Sequence, residues 1–344
     1  MKHASHRCTL GTAALAVLLC LESAVAAEDA TPGSCTRILD DRARLACYDR
    51  INGFVSPRLE SEAPDPLAKT LTAATPPAQG SLIDSAWAFA PEADRYALGY
   101  YRPNYLLVAR YTDDVNQEPF SPIFDAAESS EDLDNVEARF HLRFKGRVWA
   151  ADDHRWGLWL AYTQQSQWQV YSEENSRPFR ETNYEPEVFV SFRPDVELGG
   201  GFDWRLLNFG YNHQSNGRSQ LLSRSWDRVF AEVGVERDRF ALLARAWYRI
   251  PENSSDDDNP DIDRYLGYGD VTGVYKWREH SFSMMARGNW NTSKGALRLA
   301  WVTPPLLGPL RGYVQAFSGY GDSMIDYNWN QNIIGVGITV NDIL

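Results

Sequence analysis

The chain has 344 residues, and its 46 acidic against 34 basic side chains leave a formal net charge of −12. That balance excludes a protein that holds nucleic acid by its phosphates, because such proteins present a basic face. It carries 12 Trp, 17 Tyr and 15 Phe, yet beyond its N-terminus it has no apolar run of the ~20 residues that a spanning helix needs.

The chain opens with the basic MKHASHR, the apolar CTLGTAALAVLLCL and the small-residue box Ala24-Val25-Ala26. This pattern predicts a signal peptide over 1–26 and export from the cytoplasm. An exported, aromatic-rich chain without long apolar runs has the composition of a transmembrane β-barrel, whose strands hide their apolar face by alternation.

Next comes CTRILDDRARLACYDRI, with Cys35 and Cys47 twelve residues apart. In an oxidising compartment the pair is expected to form a disulfide, contributing on the order of 3 kcal/mol. One straight helix would hold the two cysteines ~18 Å apart, so a bridge requires the chain to fold back. The expectation is a small stapled helical module over 27–56, with two free thiols as the alternative. A Pro- and Ala-rich linker over 57–80 follows.

The body of the chain is 81–344, and from Asn104 onward its pattern changes to period two. Twelve strand-like runs fall at about 104–113, 136–145, 157–171, 186–195, 203–215, 226–236, 239–250, 264–277, 280–290, 294–303, 310–320 and 331–342. Leu297, Leu299 and Trp301 alternate with Arg298 and Ala300, and Ile334, Val336, Ile338 and Val340 alternate with Gly335, Gly337, Thr339 and Asn341. Runs of about ten residues suit strands tilted across a bilayer. An even number closes a cylinder without sheet edges, so the expected fold is all-β, a twelve-stranded antiparallel transmembrane β-barrel. Short links follow even-numbered strands and longer ones follow odd-numbered strands, which places the long loops outside the cell and the N-terminal module in the periplasm. Arg228, Glu232, Arg245 and Arg249 face the lumen and could pair across it, which favours a filled barrel over an open pore.

The stretch YNHQSNGRSQLLSRSWDRVF carries the chemistry. On the fifth strand His213 and Ser215 share parity with Leu207, Phe209 and Tyr211. On the sixth, Asp227 shares parity with Val229, Ala231, Val233 and Val235. Alternation therefore turns His213, Ser215 and Asp227 together onto the lipid-facing wall. Polar groups facing hydrocarbon are costly unless paired. A serine, a histidine and an acid that pair there are the parts of a nucleophilic hydrolase, and any substrate reached from that wall is a lipid ester. The alternative is a non-enzymatic barrel, pore or structural, with a vestigial site; a secreted β-sandwich esterase fits the strand lengths poorly.

YNHQSNGRS and SRSWDR resemble the active-site signature of the outer-membrane phospholipase A family. SRPFRETNYEPEVFVSF, DDNPDIDRYLGY, NWNTSKG and SGYGDSMIDYNWNQNIIGVGITVNDIL resemble its other blocks, so the likeness covers roughly 81–344. The resemblance implies calcium-dependent hydrolysis of phospholipids and lysophospholipids, with activity in the homodimer. It implies Ser215 as nucleophile, His213 as base and Gly217 as an oxyanion-hole donor. Calcium would be held by the Arg218 carbonyl, Ser223 and Ser176 of a second copy, and Gln164 would lie in the dimer interface. Asp227 stands where well-known members carry Asn. The acidic run from Ser254 to Asp263 lacks EF-hand spacing and is expected to be a solvated exterior loop.

Overall fold

A computed structural model of the chain describes residues 35–52, 80–117, 119, 133–173, 178–219, 222–255 and 257–344. The signal peptide expected over 1–26 and nearly all of the linker expected at 57–80 lie outside the described residues. The chain divides into two compact units, Met1–Asp65 and Pro66–Leu344.

In the first unit, Asp40 caps helix α1 (Asp41–Ile51), its carboxylate accepting from the Ala43 amide at 2.8 Å. The segment before the cap turns back on the helix: Ile38 N donates to Cys35 O at 3.2 Å. Cys35 and Cys47 then meet in a disulfide with Cα atoms 5.6 Å apart, the bridge with a folded-back chain that the sequence led us to expect.

In the second unit a short helix, α2 (Leu82–Trp87), starts at Ser81, whose hydroxyl accepts from Asp84 N at 2.8 Å. Fourteen strands follow: β1 (Leu98–Tyr100), β2 (Tyr105–Thr112), β3 (Val136–Ala150), β4 (Trp156–Trp168), β5 (Phe179–Phe192), β6 (Val196–Gly199), β7 (Phe202–Ser215), β8 (Ser225–Arg237), β9 (Phe240–Arg249), β10 (Gly269–Trp277), β11 (His280–Asn289), β12 (Lys294–Leu307), β13 (Leu310–Tyr320) and β14 (Asn330–Thr339). A third helix, α3 (Ile262–Leu266), precedes β10. Twelve of the strands form a closed antiparallel ring, because β2 pairs with β14 on one side and β3 on the other, while β3 also pairs with β4. The short β1 and β6 attach to β3 and β7 outside that ring. The expected twelve-stranded barrel is the observed one.

Several strand ends differ from the sequence pattern: β3 runs on to Ala150 and β12 to Leu307, past the expected 145 and 303, while β4, β5 and β14 stop three residues before the expected 171, 195 and 342. Two strand starts differ more. β5 begins at Phe179, seven residues earlier than the run at 186–195, because Arg180, Glu181 and Asn183 are lumen-facing strand residues whose charge and polarity mimic a loop. The run at 264–277 begins with the end of α3, and β10 starts only at Gly269.

The wall is apolar outside. Leu297, Leu299, Trp301, Ile334, Val336 and Ile338 are exposed, while their neighbours Ala300, Val302, Ile333 and Thr339 are buried inside. Such a surface belongs in hydrocarbon. The lumen is packed. At one end α2 contributes Ile83 and Trp87, and Lys145 Nζ sits 3.9 Å from the Trp87 ring centroid and 4.9 Å from that of Trp159. The segment after β13 folds inward, burying Met324, Ile325 and Asp326. Between them run ion pairs: Arg245 with Glu232 at 2.9 Å and Glu187 at 2.8 Å, Arg228 with Glu185 at 3.0 Å, and Arg139 with Asp322 at 2.7 Å. Arg249 pairs with Asp257 at 2.5 Å. Buried charge persists only when paired in this way; a polar cavity of about 140 Å³ remains among them.

Candidate active site

The register of β7 against β8 brings the candidate residues together. His213 is the direct cross-strand partner of Asp227, and Ser215 is that of Ser225. All four point outward, as alternation requires. The His213 Nδ1 and Asp227 Oδ1 atoms are 2.7 Å apart, and each side chain keeps about a third of its surface exposed, 37% and 31%. Ser215 lies two residues along on the same face, next to the turn. Among the described residues its hydroxyl makes no hydrogen bond. Tyr211, also on that face, donates to the same Asp227 oxygen at 2.6 Å.

Beyond Ser215 the chain leaves the wall and returns at Ser225. Asn216 closes that turn. Its amide N donates to Arg224 O at 2.9 Å, its Oδ1 accepts from Arg218 N at 3.2 Å and Arg224 N at 3.0 Å, and its Nδ2 donates to Leu222 O at 2.9 Å. Gly217 follows with φ +66°, a conformation L side chains resist. Arg218 crosses to β5, donating to Arg180 O at 2.5 Å with its Nε 3.6 Å from Glu181. Ser223 is half-buried at the far end of the turn.

The loop at 251–261 is not simply solvated. Asn259 is buried, and its Oδ1 accepts from Ser225 N at 3.0 Å, while Asp257 holds Arg249 and the Asn259 amide. The acidic run thus folds against the start of β8 and steadies the strand carrying Asp227. No cluster of three or more His, Cys, Asp or Glu that could hold a metal occurs among the described residues. Ser176 lies outside them. Gln164 sits on the outer wall of β4, with its Oε1 3.3 Å from Tyr162 Oη and its Nε2 3.4 Å from Ser166 Oγ. It is in register with Tyr184 of β5, which is in register with Ser215. Gln164, Tyr184, Ser215 and Ser225 therefore form one row across four strands.

Sequence reasoning missed Asn216 and the reach of the Tyr211 hydroxyl. Parity already placed Tyr211 outside, but only the register shows that its phenol leans one pair along to Asp227.

A closed barrel with a serine, a histidine and an acid on its outer wall defines a class, the integral outer-membrane hydrolases. The family profile Phospholipase A1 matches residues 86–340, and the chain belongs to that family of carboxylic ester hydrolases. Phospholipase A1 of Escherichia coli K12 is 38% identical over 251 residues, covering 72% of this chain and 83% of its own. A Neisseria meningitidis relative is 35% identical over 349 aligned residues, 90% of each chain. Among solved structures, outer membrane phospholipase A from Escherichia coli superposes with a TM-score of 0.66 at 37% identity, covering 72% of this chain and all of that one. The Salmonella typhi outer membrane phospholipase, described as a dimer with bound calcium, gives 0.68 at 36% identity over 77% of this chain and 99% of that one.

Proposed function

We propose that the chain hydrolyses acyl esters of phospholipids and lysophospholipids from the outer leaflet, with Ser215 as nucleophile, His213 as general base and Asp227 as the orienting acid. One observation carries this reading: a 2.7 Å His–Asp pair stands on the lipid-facing wall with a serine two residues away on the same face. Ser215 Oγ attacks the ester carbonyl while His213 Nε2 takes its proton, and Asp227 holds Nδ1 and stabilises the imidazolium. His213 then returns the proton to the leaving alcohol, and water attacks the acyl-enzyme by the same route. The Gly217 amide, presented by its positive φ, is the oxyanion donor of this scheme.

Calcium fits the turn by its donor chemistry. The Arg218 carbonyl and the Ser223 hydroxyl are hard oxygens, the ligand type calcium takes, six to eight at a time. Two from one chain are too few, which supports a site completed by water and by Ser176 of a second copy. Bound there, calcium would supply positive charge beside the developing oxyanion. Gln164, on the row shared with Ser215, is the interface residue of that dimer. In this arrangement residues 27–56 form a periplasmic module, 57–80 a linker after a cleaved signal, and 81–344 the enzyme.

Fatty-acid release from phospholipid micelles containing calcium tests the reading. Ser215→Ala should abolish release while leaving heat-modifiable gel migration, the mark of a folded barrel, unchanged. Undiminished turnover in that variant would sink the enzymatic reading in favour of a vestigial site.

A further inference from the structure

We propose that Tyr211 is a positioning residue of this site, its phenol holding the Asp227 carboxylate aimed at His213 on the lipid side of the wall. The proposal rests on the Ser215–His213–Asp227 reading. Tyr211 is opposite Val229 in register, so its ring leans along the strand pair to reach Asp227. Its hydroxyl donates to Oδ1 at 2.6 Å, the same oxygen that His213 Nδ1 meets at 2.7 Å.

The physical need is specific to an acid. A carboxylate on an outer wall borders hydrocarbon, where an ionised group loses its water and is held only by donors or opposite charge. Among the described residues, the donors to the Asp227 carboxylate are His213 and Tyr211. The nearest strand cation by sequence, Arg228, turns inward to Glu185 and Asn212. Other titratable groups face the same region from β9 and the loop after it. Tyr248 is exposed on the outer wall. Glu252 lies near enough that its carboxyl is pushed up, by burial first, then by Asp257, with Asp227 adding to the effect. That neighbouring acid makes a donor on Asp227 more necessary. An amide at position 227 would carry no charge and would gain little from the phenol.

A phenol that donates to the carboxylate fixes the direction from which Asp227 meets His213 Nδ1, so its removal should slow the chemical step without weakening substrate binding. Steady-state kinetics of fatty-acid release, in micelles with saturating calcium, test this on the full chain. Tyr211→Phe should lower kcat by about three- to tenfold with KM unchanged, the scale of a hydrogen bond to a charged group. Tyr211→Leu should do the same. In an Asp227→Asn chain the loss caused by Tyr211→Phe should vanish. Unchanged kcat in both Tyr211 variants, a loss carried by KM instead, or an equal loss in the Asp227→Asn chain overturns the proposal. Wild-type turnover in Asp227→Ala would instead overturn the triad reading on which it rests, so the two failures are distinguishable.

Discussion

Gly217 lies beneath the ring of Tyr184, so close that a Cβ at Gly217 would come within 2.8 Å of Tyr184 Cε2. Two constraints converge there, the ring above and a φ of +66°. Gly217→Ala should therefore push the turn off its path and carry the amide away from the nucleophile. Loss of an oxyanion donor costs about 10²–10³ in turnover, and we expect at least the lower figure, with the barrel still folded. Tyr184→Ala in the same chain should return part of the activity by relieving the ring contact while leaving the backbone strain. Steady-state kinetics on the single and double variants check this.

Asn216→Ala should unfasten the same turn from within. The buried Asn216 side chain serves Arg218 N, Arg224 N and Leu222 O, and buried groups left unpaired cost about 1–3 kcal/mol each. The turn would loosen where calcium is proposed to bind. The calcium concentration for half-maximal release should rise by about tenfold or more, with maximal turnover falling as well. A titration of activity against calcium in wild type and variant reads both effects.

Chelation separates the proposed metal from the fold. The described residues contain no acidic metal cluster, and the barrel closes through its own strand pairs. Excess chelator should therefore abolish fatty-acid release and reduce cross-linking through Cys introduced at Gln164, while heat-modifiable migration stays unchanged. Calcium added back should restore both. Melting of the barrel on chelation would count against a metal confined to the active-site turn.

Asp322 anchors the lumen rather than the site. It accepts from Arg110, from Arg139 at 2.7 Å and from Gln167 at 3.3 Å, with Arg298 3.6 Å away. Asp322→Ala leaves Arg139 buried without a carboxylate partner and takes one of two from Arg110, which keeps Glu137, and breaking a buried pair costs about 3–5 kcal/mol. Denaturant unfolding in detergent should show a lower midpoint by that measure. Activity per folded molecule should change far less than it does in Asn216→Ala, because none of these groups touches the turn.

Much of this protein was legible before any coordinates. Period two over the body of the chain, an even strand count and alternating link lengths required a closed barrel, since unpaired edges cannot stand in a membrane. The same alternation put His213, Ser215 and Asp227 on one wall. The pattern failed where local polarity mislabels a strand. Arg180, Glu181 and Asn183 look like loop residues until partners from across the lumen, such as Asp326 on Arg180 at 2.9 Å, are known. It failed again at α3, because a short apolar run beside Tyr265 and Leu266 fits a helix as well as a strand.

The sequence by itself determined which side chains face lipid, because strand parity is a local property of the backbone. Only the tertiary structure decided which of them touch. The pairing of His213 with Asp227, the reach of Tyr211 to the same oxygen, and the Asn216 clasp on the turn all depend on interstrand register and loop closure. Those are set by hydrogen bonds between residues far apart in the chain, and no local pattern encodes them.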